Sequence, residues 1–508
     1  MSNRRITRAL ISVYNKEKLD PIIHLLGQAG VEFVSTGGTQ QYIEKLGYRV
    51  VPVEQLTGYP SIFGGRVKTL HPAVFGGILF RRNEPGDVQE SVKHTIGPID
   101  LVIVDLYPFE ETVASGGNES EVIEKIDIGG ISLIRAAAKN FSDVLIVSSR
   151  AQYEEVTALL QEKQCSSDLP DRKRFAALAF DVTSHYDTAI FQYFNSAEGI
   201  LSFKKSIQQG RTLRYGENPH QQGTYFGKLE DLLEQIHGKE LSYNNLVDVD
   251  AALNLVQEFD QETAFVIIKH TNACGVATGA SVKEAYEKAF QADTVSAFGG
   301  VLATNRKIDA AAAEEINKLF FEILIAPAYS AEALTVLKSK KNRMLLIQKQ
   351  PLTEKRQFKS LLNGVIEQDA DLKTDSAIDL KVVTERQPTA DEISALLFAS
   401  KIAKHTKSNT IVLAVNGQLL ASGVGQTSRV DALKQAIEKA NSFGFELGHA
   451  VMASDAFFPF ADCVEIADQQ GIKAVIQPGG SVRDQDSIDY CNTHGMAMVF
   501  TGTRHFKH

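Results

Sequence analysis

The strongest constraint on the fold is a series of short, continuous apolar runs that alternate with helix-like segments in the N-terminal part of the chain. Runs of this length without polar alternation are typical of strands that are buried on both faces, as in parallel sheets covered by helices. The N-terminal part is therefore predicted to be an α/β domain with a parallel sheet and helices on both faces. The predicted strands are Ala9–Val13, Val31–Val34, Leu101–Val104 and Val144–Val147, and the first predicted helix covers Leu19–Ala29.

Polar loops follow the first two predicted strands, at the sheet edge where open parallel sheets bind ligands. Tyr14-Asn15-Lys16 follows the first strand, and Ser35-Thr36-Gly37-Gly38-Thr39 leads from the second strand into a helix through Leu46. The glycines allow close approach of the backbone to a ligand, the hydroxyls donate, and the helix N-terminus favours an anion. Ser12 and Lys16 would complete a phosphate pocket. The alternative is a simple turn with an N-cap, and the loop lacks a Walker A lysine.

Three further segments add charged groups that could face the same edge. In the loop Phe63–Pro72, Arg66 and Lys68 are separated by one residue and would share a face of an extended segment. Asp127-Ile128-Gly129-Gly130 is typical of a turn that exposes a carboxylate, and Arg135 and Lys139 lie four residues apart on the helix that follows. Tyr107-Pro108 ends a buried strand. Each segment alone is more often structural, but together they favour a site.

Composition limits the classes of function. The 508 residues are too many for one core and should form roughly two to four domains. The net charge is −9, without a basic run, which argues against nucleic acid as a partner. The four cysteines form no C-x-x-C pair, so no metal site is predicted. No apolar run is long enough for a signal peptide or a membrane span, and the cytoplasm is the expected compartment.

The second half is predicted to begin after a helical stretch, Arg174–Phe194, with a boundary near Gly199 that gives domains 1–199 and 200–508. Leu213–Gln221 has no apolar period and carries the groups of a loop that binds a polar ligand. Lys269-His270 directly follows a buried run, where proton transfer is plausible. The tripeptide Lys-His-Thr recurs at 404–406 near a predicted strand, 410–414, which hints at an internal duplication. The segment Lys338–Asp379 is polar and has poor periodicity.

Longer motifs in both halves resemble one family, the bifunctional purine-biosynthesis enzymes that join a transformylase to inosine monophosphate cyclohydrolase. The resemblance covers the whole chain, with the motifs in family order. They are Arg66–Pro72, Ile126–Gly130, Ala137–Asn140, Arg214–His220, Ser296–Gly300, Ser454–Phe460 and Arg504–His508.

This resemblance implies two consecutive reactions. A formyl group passes from 10-formyltetrahydrofolate, a cosubstrate rather than a tightly bound cofactor, to the 5-amino group of aminoimidazole carboxamide ribotide (AICAR). The formylated product (FAICAR) then closes its ring with loss of water and becomes inosine monophosphate (IMP). The family's fold implies a methylglyoxal-synthase-like N-terminal domain and a C-terminal transformylase domain of two cytidine-deaminase-like subdomains. It also implies a homodimer with transformylase sites at the subunit interface.

For formyl transfer, the matching motifs imply that His270 accepts the proton and that Lys269 is the neighbouring cation, with His405 as the rival base. Asn409 would hold the formyl group. The implied contacts to nucleotide or folate are Arg214, Tyr215, His220, Phe298, Glu322, Arg429, Phe457 and Arg504. Glu322 stands where Asp is expected in some relatives, and Ala273 replaces an expected Pro, which could loosen the loop that carries Lys269 and His270.

For cyclisation, the resemblance implies that the chemistry depends on a carboxylate, a phenol and two ammonium groups. These are Asp127, Tyr107, Lys68 and Lys139. Arg66, Thr69 and the loop Ser35–Thr39 would fix the substrate and its phosphate. Asn15 stands where Asp is more familiar in the first loop, which removes no group from this chemistry.

Parts of the sequence also fit two other classes of function, a nucleotide-sensing module and a zinc deaminase. The N-terminal domain could be a nucleotide-sensing module without catalysis, but pure binding has no need of a carboxylate base beside two cations. A zinc deaminase would use Cys463-Val464-Glu465, but the accompanying Pro-Cys-x-x-Cys is absent from the sequence.

Overall fold

The computed structural model describes residues 3–508, which divide after Gln208 into two compact units. The core of the first unit is a five-stranded parallel sheet with the order β4-β3-β2-β5-β6, and β1 and β7 form a separate antiparallel pair. Its strands are β1 (Arg4–Arg5), β2 (Arg8–Ser12), β3 (Glu32–Ser35), β4 (Val50–Pro52), β5 (Leu101–Val104), β6 (Leu145–Val147) and β7 (Ser166–Ser167).

Ten α-helices accompany these strands within the described residues of the first unit. They are α1 (Asp20–Gln28), α2 (Gly37–Lys45), α3 (Val53–Thr57), α4 (Pro72–Leu79), α5 (Pro85–Lys93), α6 (Phe109–Ala114), α7 (Glu119–Ile123), α8 (Gly129–Lys139), α9 (Tyr153–Glu162) and α10 (Leu169–Glu198). Single 3₁₀ turns occur at Phe63–Gly65 and Arg150–Gln152.

The predicted parallel sheet is confirmed, and each predicted strand lies within one residue of its observed position. The apolar runs are continuous because both faces of these strands are covered, and Leu10, Val102 and Ile146 have no exposed surface. The long helix α10 begins at a capping box formed by Asp168 and Asp171 and ends at Gly199, whose φ of 66° suits a left-handed C-cap. The predicted boundary lies at this helix end, whereas residues 200–208 belong to the first unit.

The second unit contains one sheet of twelve strands with the order β10-β15-β14-β13-β11-β12-β20-β19-β21-β22-β23-β18, and two separate hairpins, β8–β9 and β16–β17. Its strands are β8 (Gly210–Thr212), β9 (Thr224–Phe226), β10 (Leu233–His237), β11 (Thr263–Lys269), β12 (Asn272–Gly279), β13 (Val301–Thr304), β14 (Ile323–Ala326), β15 (Met344–Gln348), β16 (Arg356–Leu361), β17 (Gly364–Asp369), β18 (Lys381–Val382), β19 (Ile411–Val415), β20 (Gln418–Gly423), β21 (Val451–Ser454), β22 (Ala474–Gln477) and β23 (Ala497–Phe500).

The helices of the second unit connect these strands. They are α11 (Leu229–Leu232), α12 (Tyr243–Val256), α13 (Val282–Gln291), α14 (Ala310–Ile316), α15 (Ala331–Leu337), α16 (Ala390–His405), α17 (Arg429–Ser442), α18 (Asp462–Gln469) and α19 (Asp484–Thr493), with 3₁₀ turns at Gln257–Phe259 and Ala377–Asp379. Among the helices of the described chain, none is both long and apolar enough to cross a membrane.

The large sheet consists of two halves with the same strand order. Each half starts with a hairpin, β11–β12 or β19–β20, continues through three strands that are parallel to one another, and ends in an antiparallel edge strand, β10 or β18. The halves meet where β12 pairs with β20. This repeated order supports the suspected internal duplication; the cytidine-deaminase likeness of each half stays a prediction.

The tripeptide that suggested the duplication does not mark equivalent positions. Lys269-His270-Thr271 lies at the turn between β11 and β12, whereas Lys404-His405-Thr406 lies at the end of α16, before β19. The polar segment 338–379 contains the hairpin β16–β17, which the sequence does not predict. All twelve residues of its two strands are exposed, so there is no buried face to impose an alternating pattern.

Candidate active sites

The predicted phosphate-binding residues lie at or beyond the ends of β2 and β3 in the first unit. The first hydrogen bond of α2 is donated by the Thr39 amide to the Thr36 carbonyl, so the amides of Gly37 and Gly38 lie at the open N-terminus of the helix. Lys16 Nζ donates to the carbonyl of Tyr14 at 2.9 Å and lies 3.8 Å from the point that a Cβ on Gly38 would occupy. An ammonium beside a helix N-terminus is suited to a phosphate.

Hydroxyl groups of this loop have different roles. Ser12 Oγ and Thr36 Oγ1 lie 3.2 Å apart. The Ser35 hydroxyl instead donates to the Ile11 carbonyl at 2.6 Å, and the Thr39 hydroxyl donates to the Val13 carbonyl at 3.0 Å. Both are buried. The sequence predicts these two hydroxyls as ligand donors, but they connect β2 to the loop and to α2.

A carboxylate and a phenol lie at the next position along the sheet edge. Asp127 precedes α8, and its Oδ1 accepts a hydrogen bond from the Gly130 amide at 2.6 Å. Burial raises the pKa of Asp127, although the amides of Gly130 and Tyr107 and the charge of Lys68 oppose this. Burial, with the Asp127 charge, also raises the pKa of Tyr107. A carboxylate with a raised pKa is suited to take and return a proton.

Lys125 completes this group, and the sequence reasoning did not identify it. Its Nζ lies 5.5 Å from the ring centroid of Tyr14 and 6.0 Å from that of Tyr107. The two rings meet edge to face at 5.6 Å. The position of Lys125, two residues before Asp127, is the one local signal that could have suggested it. An ammonium at this distance from a ring face is in cation–π range.

The first loop is held by Asp105, which the sequence reasoning also missed. Its carboxylate accepts the amide of Asn15 at 3.0 Å and the amide of Tyr14. Burial raises the pKa of Asp105, opposed by these amides and by Lys16. Asn15, a departure from the more familiar Asp, accepts the Glu17 amide on its Oδ1 at 2.9 Å, a bond that Asp could make equally well.

Three other predicted residues of the first unit differ in their surroundings. Arg66 has helical φ and ψ and pairs with Glu124 at 2.9 Å, so the chain is not extended at Arg66; that Arg66 and Lys68 share a face stays a prediction. Thr69 is buried beside Gly129 at the start of α8. Lys139 is the exposed last residue of α8. Ten helical rises separate it from Gly129, roughly 15 Å along the helix axis.

In the second unit, the predicted ligand loop 213–221 is irregular, as expected. It is closed by the Gly216 amide, which donates to the Gln221 carbonyl at 2.7 Å. The Arg214 guanidinium lies 4.8 Å from the ring centroid of Tyr215 and donates to its hydroxyl at 2.9 Å. His220 is exposed. The loop therefore presents cationic and aromatic groups to solvent.

The Lys269-His270 pair occupies the turn of the β11–β12 hairpin. Lys269 Nζ donates to the Phe298 carbonyl at 2.5 Å, and the exposed Phe298 ring packs against Phe320 with 4.8 Å between centroids. His270 is exposed. Ala273 pairs with Ile268 in the ladder, so the departure from Pro leaves the hairpin intact.

One contact joins this turn to the second half of the sheet, and a separate contact involves the predicted Glu322. Asn272 Oδ1 accepts the Lys407 amide at 3.0 Å, which connects the turn to the segment that contains Asn409. Glu322 accepts from Asn245 Nδ2 at 3.0 Å. The tertiary structure thus brings parts of both halves of the large sheet together around the turn.

Asn409 and the predicted arginines belong to the second half of the sheet. Asn409 Nδ2 donates to the carbonyls of Gln426 and Thr427 at 3.0 and 3.2 Å, so the group left for a ligand is the acceptor Oδ1. The guanidinium of Arg429 lies 3.5 Å from Oδ1 of the buried Asp455. The sequence predicts that Asn409 holds the formyl group, and this geometry leaves its Oδ1 to accept a hydrogen bond from a ligand.

One aromatic ring lies near two of the predicted arginines. The guanidinium carbons of Arg504 and Arg429 lie 4.3 and 5.8 Å from the ring centroid of Phe506. Phe457 follows Asp455 by two residues and is 36% exposed. The group combines cations with aromatic surface, as recognition of an anionic, planar ligand requires.

Within residues 3–508 there is no cluster of three or more His, Cys, Asp or Glu side chains that could hold a metal ion. Cys463, the candidate of the zinc deaminase hypothesis, is buried, and burial raises its pKa to about 12.

Comparisons with known proteins agree across the whole length of the chain. Residues 137–439 match the family described as AICARFT/IMPCHase bienzyme, and residues 18–132 match the MGS-like domain family. The bifunctional purine biosynthesis protein PurH of Bacteroides thetaiotaomicron is 61% identical over 506 residues, covering 100% of this chain and 99% of the relative. PurH of Aquifex aeolicus is 50% identical, covering 99% of this chain and 100% of the relative. PurH of Lactobacillus delbrueckii is 46% identical, with the same two coverages.

Proposed function

The chain belongs to the AICARFT/IMPCHase bienzyme family and is a bifunctional purine biosynthesis enzyme, and on this premise we propose that each compact unit carries one of its two reactions. The first unit would close the ring of FAICAR, and the second would transfer the formyl group to AICAR. The observation that carries this division is that the two groups of chemically matched residues lie on different units, on either side of Gln208.

Formyl transfer requires activation of a weak nucleophile. The 5-amino nitrogen of AICAR is conjugated with its ring, so a base must remove its proton as it attacks the formyl carbon of 10-formyltetrahydrofolate. His270 is the proposed base because its imidazole is exposed at the hairpin turn. Collapse of the tetrahedral intermediate breaks the bond to N10 of the folate, which takes up a proton.

Lys269 and Asn409 would assist the same step from two sides. The Lys269 ammonium, already bonded to the Phe298 carbonyl, adds positive charge beside His270 and the developing oxyanion. Asn409 Oδ1 would accept a hydrogen bond from the attacking amino group. The proposed contacts to nucleotide and folate are Arg214, Tyr215, His220, Phe298, Glu322, Arg429, Phe457 and Arg504.

Cyclisation joins the carboxamide nitrogen of FAICAR to its formyl carbon and then expels water. Because both reacting atoms belong to one molecule, orientation supplies much of the rate. Asp127, whose pKa is raised by burial, would take the amide proton, and Tyr107 and Lys68 would donate to the formyl oxygen. Lys16, Ser12, Thr36, Gly37 and Gly38 would bind the phosphate. Lys139 is proposed as the second ammonium group of this site on the basis of its family motif alone.

We further propose a homodimer that acts in the cytoplasm, with small-molecule substrates only and without a tightly bound cofactor. These statements follow the family resemblance. Analytical ultracentrifugation of the purified chain would test the dimer, and a monomer that retains full formyl transfer would contradict a site at the subunit interface.

Separate assays of the two reactions test the division of labour. The His270→Ala variant should lose formyl transfer from 10-formyltetrahydrofolate to AICAR but still convert supplied FAICAR to IMP. The Asp127→Asn variant should do the reverse, with the loss in kcat, because a group that acts in the transition state mainly affects turnover. Lys16→Ala should instead mainly raise KM for FAICAR.

The nucleotide-sensing hypothesis predicts a different result in the same assays. A first unit that only binds nucleotide would leave cyclisation unchanged in Asp127→Asn. Matched nucleotide binding by wild type and variant, with equal rates of IMP formation, would therefore contradict the proposed role of the first unit.

A further inference from the structure

The turn that carries His270 has a backbone conformation that its residues do not favour. Lys269 pairs with Asn272, so the hairpin loop consists of His270 and Thr271 alone. Both residues have positive φ, 51° and 65°. Two-residue hairpin loops of this kind normally use Asn-Gly or Gly-Gly, because a side chain with a Cβ is strained there, and a β-branched residue such as Thr is the most strained. Another part of the protein must therefore stabilise the turn.

Asp248, on the neighbouring helix α12, makes the contact that does so. Its Oδ1 accepts the backbone amide of Thr271 at 2.7 Å. Burial raises the pKa of Asp248, and the Thr271 amide, the His270 charge, the His270 amide and the Lys269 charge oppose this rise. One carboxylate thus binds the backbone of the turn that carries both proposed catalytic residues.

The same helix also contacts two other loops of the site. Asn244 lies one turn before Asp248 on the same face of α12 and donates to the Glu217 carbonyl of the ligand loop at 3.1 Å. Its neighbour Asn245 donates to Glu322 at 3.0 Å. The N-terminal half of α12 therefore connects the ligand loop, the Glu322 segment and the catalytic turn, and Asp248 is its contact to the turn.

We propose that Asp248 is the positioning residue of the transformylase site: by accepting the backbone amide of Thr271, it holds the turn, and with it His270 and Lys269, in the geometry for formyl transfer. This inference rests on the proposed role of His270. Asp248 itself need not touch substrate. Its effect depends on an acceptor atom at Oδ1, and the full negative charge is secondary.

Three variants of the full chain separate an acceptor from a merely structural side chain. Asp248→Ala removes the acceptor, Asp248→Asn keeps an amide oxygen, and Asp248→Ala combined with Thr271→Gly replaces the strained residue by one that tolerates positive φ. We expect Asp248→Ala to lower kcat of formyl transfer roughly 10- to 100-fold, the loss that a misplaced catalytic group causes. The KM for AICAR should change less, because the proposed AICAR contacts lie on other loops. Asp248→Asn should retain most of kcat.

The glycine variant is the decisive measurement. Relative to Thr271→Gly alone, the double variant should lose much less kcat than Asp248→Ala loses relative to wild type. Circular dichroism and thermal unfolding of each full-length variant, compared with wild type, report whether the second unit is folded. If Asp248→Ala does not fold, Asp248→Leu, which has similar size and no acceptor, takes its place.

Distinct outcomes overturn this inference and the proposed function. Unchanged kcat in Asp248→Ala overturns the positioning role, as does an equal loss in Asp248→Asn without rescue by glycine. If His270→Ala retains normal formyl transfer, His270 is not the base. The rescue of Asp248→Ala by Thr271→Gly then still tests whether Asp248 stabilises the turn.

Discussion

Nε2 of His405 lies 2.8 Å from Oε1 of Glu258, and Lys404 Nζ donates to the same oxygen at 2.7 Å. The side chain of His405 is 14% exposed and that of Glu258 is 9% exposed. Burial favours the neutral acid, but hydrogen bonds from His405, Lys404 and Thr374 outweigh it and lower the pKa of Glu258 to about 2. Burial lowers the pKa of His405, although its hydrogen bond with Glu258 opposes this. His405 is therefore held by the buried Lys404–Glu258 ion pair, while His270 is exposed, which favours His270 as the base.

The first prediction compares these two histidines. His270→Ala should lower kcat of formyl transfer by roughly 10²- to 10⁴-fold, the contribution of a general base. His405→Ala should change kcat little and destabilise the protein by about 1–3 kcal/mol, because it leaves a buried acceptor with one partner fewer. Steady-state kinetics and thermal unfolding of both variants measure these effects. A folded His405→Ala variant with the larger kinetic loss would reverse the assignment.

The second prediction concerns pH and the buried His505. Burial lowers its pKa, but hydrogen bonds with Asp371 and Asp375 outweigh this and raise the pKa to about 9. The pKa of His505 in the folded protein lies above its value of roughly 6.5 in the unfolded chain. The protonated imidazole therefore stabilises the fold in full below about pH 6.5. The stabilisation is lost as pH rises through about 9. It should amount to about 3 kcal/mol.

The control for this prediction is His505→Asn, which cannot gain or lose the proton. Between pH 6 and pH 9.5, the difference in thermal midpoint between wild type and variant should shrink. A difference that stays constant over this range would show that protonation of His505 is not linked to folding.

The third prediction concerns Lys125, whose ammonium lies near the rings of Tyr14 and Tyr107. Lys125→Met keeps the length of the side chain and removes the charge. We expect it to lower kcat of cyclisation by roughly 2- to 30-fold, the range that corresponds to a cation–π interaction of about 0.5–2 kcal/mol. Lys125→Arg should retain most of the rate. Formyl transfer by the same samples is the internal control, and an equal loss in the Met and Arg variants would exclude the charge as the cause.

The fourth prediction uses fragments of the first unit. Residues 200–208 belong to this unit, and two contacts attach them to α10: Ser206 lies 2.9 Å from Nδ1 of His185, and Gln192 donates to the Lys204 carbonyl at 2.8 Å. A fragment that ends at Gln208 should therefore unfold at a higher temperature than one that ends at Gly199. Both should cyclise FAICAR without folate. Identical unfolding of the two fragments would show that the segment 200–208 does not stabilise the unit.

The sequence by itself was sufficient to locate the strands of the first unit and the loops at their ends. Such features depend on a few neighbouring residues: an apolar run such as Leu101–Val104 must be buried, and a loop such as 213–221 has no apolar period to form a strand or helix. The order of the residues also determined the family, because its motifs extend over both halves of the chain.

Only the tertiary structure decided which side chains serve the two sites. Asp248 reaches Thr271 across 23 residues, and Glu258 reaches His405 across 147. Local patterns contain no information about such partners, because the contacts form only after the sheet and its helices have packed. The same reason explains why the sequence does not show that the hydroxyls of Ser35 and Thr39 donate to the carbonyls of Ile11 and Val13, since these groups are adjacent only in the folded sheet.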